Sequence, residues 1–262
     1  MGKLRLSKIG RVKIKLHRPI EGKIKTLTMT RTATGKWFAC FAVECELEPL
    51  PVITEAMGVD MGVSNFATLS TGEAIANPKF FRVEEKRLAK AQRKLSAAKK
   101  GSPERCKRRK VVARIHERIA NQRRNFAHQE SRKLVNQFAM IVFENLNISG
   151  MLKNHCLAKS IADAAWNQLV QLTTYKAAKA GRGAVQVNPC NTSKRCSRCG
   201  ELVEKELRVR MHACVGCGLT IDRDHNAALN ILALGLQSLP QLRIEAASFQ
   251  GAEWSRVMVL SL

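Results

Sequence analysis

The chain has 262 residues, with 45 Lys and Arg against 21 Asp and Glu, so its formal net charge is +24. This length allows one large domain or two small ones, and the charge favours a polyanionic partner, nucleic acid above all. A membrane surface is a weaker alternative because no apolar run reaches the ~20 residues of a membrane span. The N-terminus lacks a signal-peptide core, and the nine cysteines suit a reducing compartment, so we expect a cytoplasmic protein.

The first 50 residues are predicted to form a small β-rich segment. Polar residues alternate with apolar or β-branched ones over 11–17, 22–30 and 35–45, the pattern of half-buried antiparallel strands. The polar positions include several lysines. These lysines either form a solvated basic face or contact a phosphate backbone, and the pattern leaves both open.

The stretch AMGVDMGVSNFATLS, which begins at Ala56, predicts a strand, a turn and a second strand over Asn65–Leu69. Asp60 lies within the first, otherwise apolar, strand between Gly58 and Gly62. A buried aspartate is costly unless it is hydrogen-bonded or holds a metal, so Asp60 is a candidate ligand, with a turn aspartate as the alternative. Gly62 would allow a backbone or a ligand to approach closely.

Residues 82–139 show helical periodicity that is interrupted at residues 101–103. Their polar faces are densely basic, and few acidic residues stand where they could pair along the helix. Such a run would repel itself without an anionic partner, so we predict nucleic-acid contact rather than a merely solvated face. The predicted contact residues are Lys107, Arg108, Arg109, Lys110, Arg114, Arg118, Arg123 and Arg124.

A further α/β pattern follows these helices. The apolar segment 140–146 predicts a strand that carries Glu144 near its C-terminal end. An amphipathic helix is expected over 162–180 and a short strand over 183–189. Strands that end in carboxylates within an α/β pattern bring acidic groups to one edge of a sheet. The segment 236–262 contains no recognisable motif and stays unassigned.

Four cysteines form the most specific motif of the chain. Cys196 and Cys199 are separated by 14 residues from Cys214 and Cys217, the spacing of two knuckles that hold one tetrahedral zinc ion. Gly200 and Gly218 follow the pairs and suit the positive φ that such knuckles need. We predict a structural zinc ribbon over 190–219. The alternative, two unrelated or redox CxxC pairs, is disfavoured because redox chemistry needs only one pair.

Asp60, Glu144 and Asp224 are the carboxylates that this element order would bring together. Asp224 opens an apolar, Ala-rich helix directly after the ribbon, with Asp222 and Asn226 as flanking auxiliary candidates. Three such acids can hold two Mg²⁺ ions for phosphodiester hydrolysis. A structural acid remains the alternative at each single position.

The chain resembles the TnpB (OrfB) proteins of bacterial insertion sequences, which are relatives of type V CRISPR effector nucleases. The resemblance rests on GVDMGVSNFATLS, the basic helices, VFENLNISGMLKN, the TSKRCSRCG…CVGCG ribbon and DRDHNAALNIL, together most of residues 56–235. Residues 3–46 are similar to the β-rich domain that precedes the nuclease in this family. The resemblance implies a RuvC-like, RNase H-like domain over 56–235 with the ribbon inserted before the last acid. It also favours Asp224 over Asp222 as that acid.

By the same resemblance, the chain is expected to be a transposon-encoded, RNA-guided DNA endonuclease linked to transposition and recombination. Its partners would be DNA and a guide RNA, and its oligomeric state is left open. The chain begins inside the usual N-terminal region of the family, so we expect a shortened copy. A non-catalytic nucleic-acid-binding zinc-ribbon protein is therefore the alternative.

Overall fold

The computed structural model describes residues 2–17, 19–45, 50–206, 209–248 and 255–261, with side chains up to residue 238. The described strands are β1 (Gly2–Leu6), β2 (Gly10–Ile14), β3 (Lys23–Arg31), β4 (Trp37–Glu44), β5 (Ala56–Met61), β6 (Asn65–Leu69), β7 (Ala74–Ala76), β8 (Met140–Glu144), β9 (Gly183–Val187), β10 (Met211–Ala213), β11 (Thr220–Asp222) and β12 (Ser255–Ser261). The described helices are α1 (Phe80–Ala97), α2 (Pro103–Gln137), α3 (Ile148–Met151), α4 (Ala158–Ala164), α5 (Trp166–Lys179) and α6 (Arg223–Ser248).

The chain divides into two compact units. The first comprises Met1–Leu47, Glu84–Arg118 and Ala247–Leu262. In it β3 and β12 both pair antiparallel with β4, while β1 and β2 form a separate antiparallel pair. A small core forms around Ile14, Ala39, Phe41 and Val43. The alternation read from the sequence therefore produces strands with one buried face.

The second unit comprises Glu48–Val83 and Ile119–Ala246 and contains a five-stranded sheet in the order β7-β6-β5-β8-β9. Strands β5, β8 and β9 are parallel, and β6 and β7 run antiparallel to their neighbours. This is the mixed α/β architecture that the element order predicts.

The two faces of this sheet carry different cores. Met57, Val59 and Met61 of β5, together with alternate residues of β8, pack on the C-terminal half of α2 and on α4 and α5. On the opposite face Val142 and Val187 pack with Ile231 of α6. Side chains of a strand alternate between faces, so these contacts assign every position of β5 and β8 to one face.

Most expected elements are present, with local differences. The helix expected over 162–180 is two helices, α4 and α5, because Ala165 adopts a left-handed φ of 53° between them. Strand β1 was not expected, and the unassigned tail contains the end of α6 and β12. The domain borders at 50, 56 and 235 remain predictions. Among the described helices none is long and apolar enough to cross a membrane.

Candidate active site and metal centre

Asp60 and Glu144 lie side by side at one end of the sheet. The parallel pairing of β5 with β8 aligns Gly58 with Val142 and Val59 with Phe143, and continuing that register brings Asp60 opposite Glu144. Because Asp60 is two residues after Gly58 and Glu144 two after Val142, both point to the α6 face. The expected convergence of strand-end acids is confirmed for this pair.

Helix α6 brings Asp224 to the same face through a close helix–strand contact. A Cβ at Gly58 would overlap the carbonyl oxygen of Ala228 and approach the backbone N of Leu232, and a Cβ at Gly235 would overlap the side chain of Val142. The helix therefore lies directly on β5 and β8, with its first turn near the strand ends. At Gly62, where the sequence predicts a close approach, a Cβ would lie 3.1 Å from the Asn65 carbonyl oxygen, and Gly58 adds a closer approach that the sequence did not predict.

Electrostatics link these carboxylates. Burial raises the pKa of Asp60 well above its ordinary 3.8, and the negative charges of Glu144, Asp224 and Asp222 raise it further, with Arg223 opposing them. Burial also raises the pKa of Glu144, while a hydrogen bond from Thr192 lowers it. An acid whose pKa is raised by neighbouring negative charges belongs to a site that gains from binding a cation.

Thr192 holds Glu144 from the loop after β9. Its hydroxyl donates to Glu144 Oε1 at 2.5 Å, and both side chains are buried. Asn230 of α6 in turn donates to the carbonyl oxygens of Thr192 and Arg195, at 2.8 and 2.7 Å. Helix, loop and carboxylate are thus connected in one buried network, and sequence reasoning had missed Thr192.

Asp224 is paired with two arginines. Arg210 Nη1 lies 3.2 Å from Asp224 Oδ2, and Arg223 Nη2 lies 2.9 Å from Asp224 Oδ1. Arg210 also donates to the Ser64 hydroxyl at 2.8 Å, which connects the start of α6 to the turn that follows Asp60. The carboxylate is only 15% exposed, so these arginines balance a largely buried charge.

Asp222 and Asn226, the expected auxiliary ligands, are engaged elsewhere. Asp222 Oδ1 accepts from the backbone N of Asp224 and His225, at 2.8 and 3.1 Å, which makes Asp222 the N-cap of α6. Asn226 is fully buried, accepts from Ser197 N at 3.0 Å and donates to the Arg195 carbonyl at 2.8 Å. Both residues therefore fix the helix start and the ribbon.

The four cysteines converge as their spacing predicts. The Sγ atoms of Cys196 and Cys217 lie 3.6 Å apart and those of Cys199 and Cys214 3.5 Å apart, with all four within 4.8 Å of one another. A tetrahedral zinc ion with bonds of about 2.3 Å needs sulfur–sulfur edges of about 3.8 Å, so the thiols fit zinc. The carboxylate oxygens of Asp60, Glu144 and Asp224 do not all lie within 4.8 Å of one another. Among the described residues, the four thiols are the one group of possible metal ligands that does.

The two knuckles have the same backbone geometry. Gly200 N donates to the Cys196 carbonyl and Gly218 N to the Cys214 carbonyl, both at 2.9 Å, and both glycines have positive φ, as expected. Burial opposes ionisation of Cys196, but hydrogen bonds from the backbone of Cys199 and Arg198 lower its pKa to about 6. A thiol that ionises readily suits a metal ligand.

The basic residues of α2 are unevenly available. Lys107, Arg109, Lys110, Arg114 and Arg124 are exposed. Three others form ion pairs, Arg108 with Glu104, Arg118 with Glu84 and Arg123 with Asp163. Arg123 is the most enclosed of these, and both Nε and Nη2 contact Asp163 Oδ1, at 3.0 and 2.7 Å.

Two family models match the chain. Residues 38–155 match OrfB_IS605, described as "Probable transposase", and residues 166–231 match the "Cas12f1-like, TNB domain". Together they include Asp60, Glu144, Asp224 and all four ribbon cysteines. The chain belongs to the TnpB/OrfB family.

Relatives of this TnpB/OrfB chain carry names that refer to nuclease activity. It is 43% identical over 240 residues to the "Putative RNA-guided DNA endonuclease" of Streptomyces pristinaespiralis, covering 90% of this chain and 60% of that protein. It is 32% identical to the "Putative RNA-guided DNA endonuclease InsQ" of Escherichia coli K12, covering 88% and 61%. The chain thus spans about three fifths of the length of these relatives.

A solved structure supports the fold. The Cas12f1–sgRNA–target DNA complex, determined by cryo-EM, matches with a TM-score of 0.50 at 17% identity, covering 74% of this chain and 55% of that one. At this identity the likeness concerns the fold alone, a mixed α/β architecture.

Proposed function

We propose that this chain carries a RuvC-like nuclease domain that hydrolyses DNA phosphodiesters at Asp60, Glu144 and Asp224. The observation that carries the proposal is the adjacent placement of Asp60 and Glu144 on β5 and β8, with the pKa of Asp60 raised by burial and by the charges of Glu144 and Asp224. A nuclease uses such a cluster for divalent metal ions.

The donor set fits hard divalent cations. All three candidate ligands are carboxylates, the oxygen donors that Mg²⁺ prefers. Two Mg²⁺ ions, when bound, would supply an activated water and stabilise the leaving oxygen. Asp60 and Glu144 would hold the metals from the sheet and Asp224 from α6. Thr192 would keep Glu144 oriented through its hydrogen bond.

The ribbon would hold one structural zinc ion through Cys196, Cys199, Cys214 and Cys217. All four positions of the tetrahedron are then protein ligands, so no position is left for substrate. The ribbon also includes the segment that leads to Arg210 and contacts α6 through Asn226 and Asn230. Its role would therefore be to fix the start of α6 and with it Asp224.

Nucleic-acid binding is proposed for the basic face of α2, chiefly Lys107, Arg109, Lys110, Arg114 and Arg124. Relatives are named RNA-guided DNA endonucleases, and the Cas12f1 structure contains a guide RNA and target DNA. We therefore propose DNA as substrate and an RNA as guide, in a transposon-encoded protein. The relatives whose names mention a guided reaction are longer, and this chain spans about three fifths of their length.

The second candidate is a nucleic-acid-binding zinc-ribbon protein without catalysis. The pairing of both Asp224 oxygens with Arg210 and Arg223 favours it, because metal binding competes with these ion pairs. Under this reading the acids contribute only to folding. Binding would then persist while cleavage is absent under every metal condition.

A cleavage assay separates the two candidates. Single-stranded and duplex DNA are incubated with the chain in Mg²⁺ or Ca²⁺, with and without guide RNA, and compared with Asp60→Ala, Glu144→Ala and Asp224→Ala. Each substitution should abolish Mg²⁺-dependent cleavage and leave DNA binding largely intact, and Ca²⁺ should support binding only. Asp222→Asn is the matched control. Asn also caps helices, so this variant should cleave DNA normally. Cleavage that survives all three alanine variants would overturn the proposal.

A further inference from the structure

A polar pocket opens in the second unit beside the turn that follows Asp60. Its volume is about 290 Å³, and it lies among the β5–β6 turn, the start of α1 and helix α4. The lining residues are Val63, Ser64, Asn77, Lys79, Arg82, Ser160 and Asp163. None of them belongs to the proposed acid triad or to the predicted basic face of α2.

The walls of this pocket are braced by hydrogen bonds. Asn77 Nδ2 donates to the Val63 carbonyl at 2.9 Å, and Asn77 Oδ1 accepts from Lys79 N at 3.1 Å. Asp163 accepts from Phe81 N at 2.9 and 3.0 Å, through its two oxygens, which anchors the first turn of α1. The turn, α1 and α4 are therefore connected around the cavity rather than merely adjacent.

The charge balance of the pocket is positive. Lys79 contributes a cation, and two serine hydroxyls add donors. The one carboxylate, Asp163, is balanced by Arg123, whose Nη2 lies 2.7 Å from Oδ1. A braced pocket with a cation, hydroxyl donors and a neutralised acid suits an anion that carries several acceptor oxygens, such as a phosphate group.

The pocket is connected to the candidate acids by two hydrogen bonds. Ser64 accepts from Arg210 at 2.8 Å, and Arg210 also contacts Asp224 at 3.2 Å. Ser64 is also only four residues from Asp60, a separation of at most about 14 Å along the chain. An anion in the pocket would thus lie close to the acids without competing for them.

We propose that this pocket binds a backbone phosphate of the DNA strand to be cleaved, next to the scissile phosphodiester. The choice of strand rests on the proposed nuclease site. Lys79 provides the charge, and the hydroxyls of Ser64 and Ser160 provide donors. The contact would set the register of the strand, so that the neighbouring phosphodiester reaches Asp60, Glu144 and Asp224.

The backbone of Lys79 allows a clean test. Its φ of 47° is left-handed, a conformation that Asn tolerates better than most residues. Lys79→Asn therefore removes the charge without adding strain, and Lys79→Arg keeps the charge. Lys179→Asn is the matched control. Lys179 is the last residue of α5 and comes shortly before β9 begins, at the end of the sheet opposite the acids. Its Nζ lies over the Tyr175 ring.

The experiment measures binding of a fluorescent single-stranded DNA of about 15 nucleotides to the full chain in Ca²⁺, over a salt series. Losing one phosphate contact should reduce the magnitude of the slope of log binding constant against log salt concentration by about 0.7. It should also weaken binding about threefold. Lys79→Asn should show both changes, and Lys79→Arg and Lys179→Asn neither. An unchanged slope in Lys79→Asn, or an equal loss in Lys179→Asn, would overturn the proposal.

A second arm repeats the measurement with RNA of the same sequence. A loss confined to RNA would assign the pocket to a guide strand and overturn the proposal as stated. Because the readout is binding, it is independent of cleavage. A wild-type chain that binds DNA without cutting it would contradict the proposed endonuclease, whereas the slope comparison would still decide this inference.

Discussion

Asp60→Asn probes the electrostatics of the acid cluster without any substrate. Burial and the charges of Glu144 and Asp224 raise the pKa of Asp60 above its ordinary 3.8, so the folded chain holds this proton more tightly than the unfolded chain. The stabilising effect of that proton is complete below pH 3.8 and is lost as pH rises through the raised pKa. At pH values above it, the ionised carboxylate destabilises the fold.

The size of the effect follows from linkage. Each unit by which the pKa is raised removes about 1.4 kcal/mol of stability at high pH. One kcal/mol corresponds to about 2–4 °C in Tm for a unit of 150–250 residues. Asp60→Asn removes the charge at nearly constant volume, so its Tm above the raised pKa should exceed the wild-type Tm by about 3–6 °C for each such unit.

The assay is calorimetry over a pH series in buffer that contains zinc but no Mg²⁺, followed by addition of Mg²⁺. Mg²⁺ at 100 times its dissociation constant should stabilise the wild type by about 2.7 kcal/mol and leave Asp60→Asn unchanged. Asp222→Asn should change the Tm much less than Asp60→Asn and should keep the response to Mg²⁺, because the exposed Asp222 is the smallest of the charges that act on Asp60 and Asn retains the cap. A lower Tm for Asp60→Asn without Mg²⁺ across the whole pH series would refute the reasoning.

Three further substitutions test other parts of the account. Thr192→Val removes the hydrogen bond to Glu144, which is worth about 1.5–3 kcal/mol for a charged acceptor. The pKa of Glu144 should therefore rise, and the pH–rate profile of cleavage should shift to higher pH. An unshifted profile would contradict this role of Thr192. Cys214→Ser should lower the zinc content measured by mass spectrometry from one per chain towards zero, and full retention would exclude the proposed ligand set. Burial lowers the pKa of Lys176 from 10.5 to about 8, so the stability of the wild type should rise from pH 8 to 10.5. Lys176→Met should remove that rise, measured as the urea midpoint of unfolding at each pH. Identical dependence of the midpoint on pH in the two proteins would contradict the prediction.

The sequence predicts those parts of the molecule that depend on local pattern. Apolar runs locate β5, β6 and β8, so Asp60 and Glu144 could be assigned to strands before the structure was known. The spacing of the cysteines predicts their convergence, because each CxxC pair forms its own knuckle. The positive φ of Gly200 and Gly218 could be predicted for the same reason, since each knuckle requires a residue with positive φ.

Contacts between distant residues were not predictable in the same way. The close packing of α6 on Gly58 depends on which helix covers that face of the sheet, and no local pattern encodes it. Thr192 was missed because a threonine in a loop gives no signal until its hydrogen bond to Glu144 is known. Arg123 looked like one more exposed cation, yet Asp163, 40 residues later, pairs with it.

The distinction between Asp222 and Asp224 shows how structure adds to a motif. Both acids stand at the start of one helix, and the resemblance, together with the place of Asp224 beside Asn226, favoured Asp224. Asp222 Oδ1 accepts from two backbone N–H groups as the N-cap, while Asp224 contributes to the electrostatics of Asp60 and pairs with Arg210. Their roles differ because their positions differ by about half a helical turn.

The central claim is that Asp60, Glu144 and Asp224 form one metal site. Crystals of the full chain soaked in Mn²⁺, with anomalous diffraction data collected near the manganese edge, test it most directly. We expect anomalous peaks about 2.1 Å from carboxylate oxygens of all three residues, the ligand distance of a small octahedral cation. Asp60→Asn should lose or weaken these peaks. Strong manganese peaks elsewhere, with none between these three carboxylates, would contradict the account.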